Sequence, residues 1–254
     1  MVEPGPDASA RRFSTEASFD FPSAYVFRGY TIHDAGVQAQ SSLGISTDLR
    51  RGGLSVTPSL GLWTNLTSEA FGASRWKHWD ELDFTGGLTF AYLGTSCEFE
   101  YCAYSSPSRF SGQVTELGVT LSQETDDGPK WLTLLSPHLS AFRELINKET
   151  LNPGTYFEAG VEPRLRLAVA ARAATVSFPL TWGSGRDGYY SRADGSDCLG
   201  GYAVGGVRAN YPLLAGTDIH GEVDLYDLIS DSVRAANRGR SRLLTAAVGL
   251  GFSF

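Results

Sequence analysis

The chain ends on AAVGLGFSF, Ala246–Phe254. Leu244, Ala246, Val248, Leu250, Phe252 and Phe254 share one parity, while Thr245, Ala247, Gly249, Gly251 and Ser253 share the other. A period of two with one apolar face and one small or polar face is a β-strand. A terminal strand with an unpaired apolar edge would template aggregation. The last strand must therefore be paired on both sides, and the rest of the chain has to supply the partners.

Reading backwards, period-two segments recur throughout and no long amphipathic helix interrupts them. Gly, Ser, Asp and Pro clusters separate the segments. The alternation predicts twelve strands, at 16–28, 37–47, 54–64, 80–93, 97–105, 112–123, 131–144, 154–168, 173–183, 201–212, 217–228 and 242–254. Links after even strands are short (48–53, 94–96, 124–130, 169–172 and 213–216), whereas long ones at 66–79, 183–200 and 228–241 follow odd strands. Loops sorted by parity predict an all-β fold, a transmembrane up-and-down antiparallel barrel with short periplasmic turns and longer extracellular loops. A soluble lipocalin-like barrel would also alternate, with its apolar row inside. Three features favour apolar-out: strands without lysine, a polar row rich in Gly, Ser, Thr and Gln, and aromatics near strand ends. The last group comprises Phe19, Phe21, Tyr92, Trp131, Tyr211, Phe252 and Phe254 at one end and Phe157 and Trp182 at the other. The 254 residues read as one barrel domain, with 1–15 a flexible periplasmic tail.

With a formal charge of −7 and no basic stripe, the composition points away from nucleic acid. There is no run of eighteen apolar residues, and the N-terminus lacks the apolar core of a signal peptide, so a mature outer-membrane protein is expected. Cys97, Cys102 and Cys198 are irregularly spaced and are expected to be free thiols; the four histidines lack metal-ligand spacing. No metal, cofactor or enzymatic activity is expected. His138–Ser140 resembles the His-x-Ser of outer-membrane phospholipase A, but the parity turns both residues inward, away from lipid.

SAYVFRGYTI (Ser23–Ile32) resembles the opening strand of the TorF family of outer-membrane porin-like proteins, and Tyr25–Gly29 is its most specific part. GLWTN (Gly61–Asn65), WDELDFTGGLTF (Trp79–Phe90) and TELGVTLSQ (Thr115–Gln123) resemble later strands of that family. The resemblance implies an outer-membrane location and a leader absent from this sequence. It also explains the terminus: outer-membrane barrels end in a strand read by the barrel-insertion machinery, and Gly249, Phe252 and Phe254 match that signal, with Ala247 where a polar residue is more usual.

The row opposite the lipid lines the lumen. It carries Asp20, Glu81, Asp83, Glu98, Glu100, Glu116, Glu158, Glu162, Glu222 and Asp224 against Arg28, Arg164, Arg166 and Arg208, with His138 and His220 among them. Folding adjacent strands about their turns is expected to set Arg208 opposite His220 or Glu222, and Glu162 opposite His138. Glu100 and Glu116 should share a wall patch with no arginine opposite. Inward Trp63, Tyr104, Tyr156 and Tyr202 would narrow a pore. The surplus of acid predicts a passive, mildly cation-favouring channel for small solutes or ions. The alternatives are a self-satisfied, non-conducting barrel that docks an envelope partner or oligomerises, and, more distantly, a lipase.

Overall fold

The computed structural model describes residues 13–70, 74–109, 111–123, 135–148, 153–169 and 172–254. Trp131, the acidic turn Thr125–Asp127, the links 124–130 and 170–171, and the start of the predicted seventh strand lie outside the described residues.

In chain order the strands are Phe13–Pro22 (β1), Tyr25–Phe27 (β2), Tyr30–His33 (β3), Gln38–Thr47 (β4), Leu49–Arg51 (β5), Leu54–Thr67 (β6), Trp79–Tyr92 (β7), Thr95–Ser105 (β8) and Val114–Gln123 (β9). They continue with His138–Asn147 (β10), Thr155–Val161 (β11), Arg164–Val169 (β12), Arg172–Ser177 (β13), Leu180–Arg186 (β14), Gly200–Leu214 (β15), Thr217–Leu228 (β16) and Arg242–Ser253 (β17); a short helix, Asp231–Ala236 (α1), precedes β17. β11 and β12 are one wall strand interrupted at Pro163, and β13 and β14 are another interrupted at Pro179. Proline has no N–H to give the ladder, so pairing resumes beside it through Phe178 N–H to Pro163 O at 2.9 Å and Gly206 N–H to Pro179 O at 3.0 Å. Counted this way, the sheet is a closed antiparallel barrel of twelve strands.

Closure answers the terminus. β17 pairs β16 on one side, with Thr217 opposite Phe252, and β1 on the other, with Glu16 opposite Ser253. Leu244, Val248, Phe254, Leu60 and Phe84 are exposed on the outer face, Leu60 at 66%. An apolar row exposed all round a closed wall is the inverse of a soluble barrel, and it is what a lipid-facing barrel requires. Phe19, Phe21, Tyr92, Phe157 and Trp182 lie on that face as well. Strand β1 begins at Phe13, inside the stretch read as a tail.

The largest departure from the sequence reading lies in the opening strand. β1 leaves the wall after Pro22, and Ser23–Ile32 is not a wall strand. Tyr25–Phe27 and Tyr30–His33 pair with each other as a separate hairpin, Phe27 opposite Tyr30. The two residues between them, Arg28 (φ +49°) and Gly29 (φ +84°), make the positive-φ turn that tight hairpins prefer. Alternation read on from β1 as far as Arg28 gives one strand over 16–28, whereas the chain leaves the wall after Pro22 and turns back at Arg28–Gly29. Among the described residues the seventh wall strand runs from His138.

Candidate functional site

The hairpin stands inside the long-loop half of the lumen, because three of its aromatic rings find burial there. Tyr25 packs on Trp63 at 5.2 Å between centroids, Phe27 on Tyr104 at 5.5 Å, and Tyr30 stacks on Tyr190 at 5.7 Å. Tyr190 comes from the long connection between β14 and β15. With Tyr156, Tyr202, Leu228, Leu243 and Val233 of α1, it forms a buried cluster in which Tyr156 is 1% and Tyr190 0% exposed. The β14–β15 connection and the segment carrying α1 therefore fold inward. Tyr30 donates its hydroxyl hydrogen to Tyr189 O at 2.8 Å, and Tyr190 donates to Arg28 O at 3.0 Å. Asn237, which caps α1, donates to Gly29 O and Val233 O, both at 2.8 Å, and accepts from Thr31. A buried polar chain anchors the return to the wall: Asn65 donates to Gln38 and Asp80, and His33 pairs with Asp80 at 2.5 Å.

At the hairpin tip Arg28 reaches across to the wall. Its two terminal nitrogens donate to the two Glu116 oxygens, each at 2.8 Å, and one also donates to the Tyr189 hydroxyl at 2.8 Å. The side chains are 9% and 2% exposed. Tyr104 donates to Glu116 at 3.1 Å. The guanidinium carbon lies 4.7 Å from the Phe27 and Phe142 ring centroids, 4.2 Å from Tyr156 and 5.7 Å from Tyr189, all within cation–π range. Burial pushes the Tyr189 phenol pKa up, so it stays protonated. The Glu100–Glu116 patch thus differs from expectation. Glu116 has its arginine, delivered by the hairpin rather than by a facing strand, and Glu100 accepts from the Cys102 thiol at 2.9 Å. Glu81 and Asp83 also belong to this region: the Tyr25 hydroxyl is hydrogen-bonded to Glu81, and Asp83 is buried beside it.

Beneath this stopper the lumen side chains are half-exposed and polar. Glu158 sits at the boundary, accepting from Tyr156 and, at 3.3 Å, from Tyr202. His138 pairs with Glu158 at 3.1 Å; it stands opposite Gly160 in the ladder, so the expected partner Glu162 is two residues too far along. Ser140 accepts from Thr120. Glu162 instead contacts Arg164 at 3.5 Å and Arg208 at 3.6 Å, while Arg208 is cross-strand from Glu222, 3.1 Å away. Together with His220 and Asn210 these residues line a cavity of about 390 Å³ toward the short-turn end. His220 pairs with Asp20 at 2.6 Å and with Asp218 at 3.1 Å. Asp218 had escaped the sequence reading, although it shares the parity of His220. A Cβ on Gly249 would fall 2.0 Å from Asp20 Oδ1, so glycine there makes room for the Asp20–His220 pair. Asp224 is buried opposite Gly206. Arg166 shares the parity of Arg164 on β12, stands opposite Thr175 in the ladder and is exposed. The three cysteines are free, and no group of His, Cys, Asp or Glu could hold a metal among the described residues.

No protein-family model matches the chain, and no curated protein matches it in sequence. Its fold is similar to that of the COG4313 outer membrane channel from Pseudomonas putida F1, with a TM-score of 0.52 at 10% identity over 100% of both chains. A structure from a study of in-meso crystallisation of membrane proteins gives 0.50 at 10% identity, over 96% of this chain and 83% of the other. The chain is an all-β barrel of the outer-membrane type.

Proposed function

We propose that this chain is an outer-membrane pore for small solutes whose outer half is closed by a displaceable stopper. The carrying observation is how the stopper is built. It consists of connecting segments (the β2–β3 hairpin, the β14–β15 connection and α1) and sits above a polar, half-exposed vestibule, while the wall closes through its own ladders. A barrel meant only to be filled can use its wall side chains. Here the filling hangs on segments that can swing without breaking a wall strand. The COG4313 channel shares the fold, and the TorF resemblance at Tyr25–Gly29, Gly61–Asn65 and Trp79–Phe90 supports the same reading. The protein then resides in the bacterial outer membrane, its short turns periplasmic, inserted through the terminal strand signal of Gly249, Phe252 and Phe254. The vestibule acids give passage a cation preference, and the protein's role is transport rather than catalysis.

The second reading, a non-conducting barrel that docks an envelope partner, is favoured by the close packing of that same stopper. A planar-bilayer experiment separates them. Wild-type protein should conduct rarely and briefly, and a variant with Tyr25–His33 replaced by a short Gly-Ser linker should conduct steadily. A folded deletion variant that stays silent would remove the pore reading and leave the docking barrel.

A further inference from the structure

The surroundings of Arg28 have the form of a ligand site with its ligand in place. Four aromatic rings lie 4.2–5.7 Å from the guanidinium carbon, and a buried carboxylate holds both terminal nitrogens at 2.8 Å. Aromatic faces and a planar bidentate carboxylate together select a flat, weakly hydrated cation over a compact ammonium ion. Three of those rings (Phe142, Tyr156, Tyr189) and Glu116 belong to the wall and the β14–β15 connection; only Phe27 travels with the hairpin. Removing the hairpin would therefore leave most of the cage standing and empty. Arg28 also sits in an unusual backbone state. Its φ of +49° is one that L side chains other than Asn and Asp adopt infrequently, in a turn position where Asn is the ordinary choice. An arginine held there at a backbone cost is held for its side chain.

We infer that the cage of Phe142, Tyr156, Tyr189 and Glu116 is a recognition site for guanidinium-type organic cations, and that Arg28 is its built-in occupant. A solute bearing a guanidinium group competes with Arg28, takes the cage and frees the hairpin tip. Recognition and opening are then one exchange, favoured only by solutes that match the displaced group. Tyr189 and Phe142 are the partly exposed members of the cage, and Tyr189, which comes from the long connection, marks the point of entry. The inference names the solute class for the gated pore proposed above and rests on that reading for the route beyond the cage.

The test is calorimetric titration of butylguanidinium into the full-length protein in lipid nanodiscs, with folding monitored by circular dichroism. Arg28→Gln removes the internal competitor and should bind butylguanidinium at least about tenfold tighter than wild type. Butylammonium should bind Arg28→Gln at least about tenfold more weakly than butylguanidinium does. Adding Glu116→Gln to Arg28→Gln should abolish binding. Equal affinity in wild type and folded Arg28→Gln, or affinity that survives loss of Glu116, would overturn the inference. If Arg28→Gln does not fold, Arg28→Lys, which keeps a cation in the cage without the bidentate fork, should still bind about threefold tighter than wild type, and unchanged affinity there overturns it equally. Binding is read without current. A silent barrel that binds therefore refutes the pore and not the cage, and a conducting barrel that does not bind refutes the cage and not the pore.

Discussion

Arg28 and Gly29 divide the work of one turn. Gly29 supplies a φ of +84°, and a Cβ there would lie 2.9 Å from Tyr202 Cδ1, so conformation and space both exclude a side chain. Gly29→Ala should strain the turn by about 1–2 kcal/mol and push its tip off Tyr202. Because the wall ladders do not include this turn, the expected result is a folded barrel with more frequent openings in a planar bilayer. A folded Gly29→Ala that stays as closed as wild type would mean that the turn does not hold the stopper. Glu116→Gln acts on the partner. It leaves Arg28 buried without its counter-charge, and breaking one side of a buried pair costs about 3–5 kcal/mol. The hairpin should undock, and single-channel recordings should show long openings; unchanged gating would dismiss the ion pair as a latch.

Among the elements, α1 has six residues and too little length to be stable alone, so it is held by what it touches. Ser230 caps it, accepting from Val233 N–H, and Asn237 ends it while gripping the hairpin at Gly29 O. Asn237→Ala removes donors worth about 1 kcal/mol each. Its openings should therefore be more frequent than wild type but shorter than those of Glu116→Gln. The reverse order in the same recordings would make the helix, rather than the ion pair, the principal clamp. Such devices also mark the limit of what the sequence discloses. The wall was legible because each strand writes its own period of two, as Leu60, Gly61, Leu62 and Trp63 do, and because neighbouring strands are joined by short turns that fix which residues meet. That logic set Arg208 opposite His220 or Glu222, of which the ladder has Glu222, and turned Trp63, Tyr104, Tyr156 and Tyr202 inward. It failed at Glu162, because the unbroken register from Arg143 opposite Thr155 puts Gly160, two residues short of Glu162, opposite His138. It failed most at the hairpin. Tyr25, Phe27 and Arg28 continue the alternation of β1, and Arg-Gly is a weaker turn signal than Asn-Gly. The one available clue was apolar residues on both sides of Arg28-Gly29. The contact that defines the site joins residues 88 positions apart through no ladder, and no local pattern encodes it.

For the molecule as a whole, the distribution of charge separates two properties that the sequence had merged. Glu100 and Glu116 read as one acidic patch, yet Glu116 is paired with Arg28 of the stopper whereas Glu100 lies on the lumen face and accepts from Cys102. Glu98 lies on the same face, its carboxylate 3.1 Å from where a Cβ on Gly87 would sit. Asp20, Glu158, Glu162 and Glu222 continue the acidic lining toward the short-turn end, and Arg164 and Arg208 offset only part of it. In the proposed pore, low-dielectric walls would focus this field rather than screen it, and the local cation concentration should rise. Gating should therefore depend on Glu116, and selectivity on the acids below it. In the barrel lacking Tyr25–His33, Glu98→Gln/Glu100→Gln should leave conductance within about twofold but move the reversal potential under a potassium chloride gradient toward zero, because two fixed charges leave a lumen whose width is unchanged. Glu116→Gln on the full-length chain should lengthen openings and move the reversal potential far less, since Glu100 and the lower acids remain. If the Glu98/Glu100 variant keeps full cation preference, the field that selects ions is not set by this wall, and the vestibule pairs around Arg208 become the groups to neutralise.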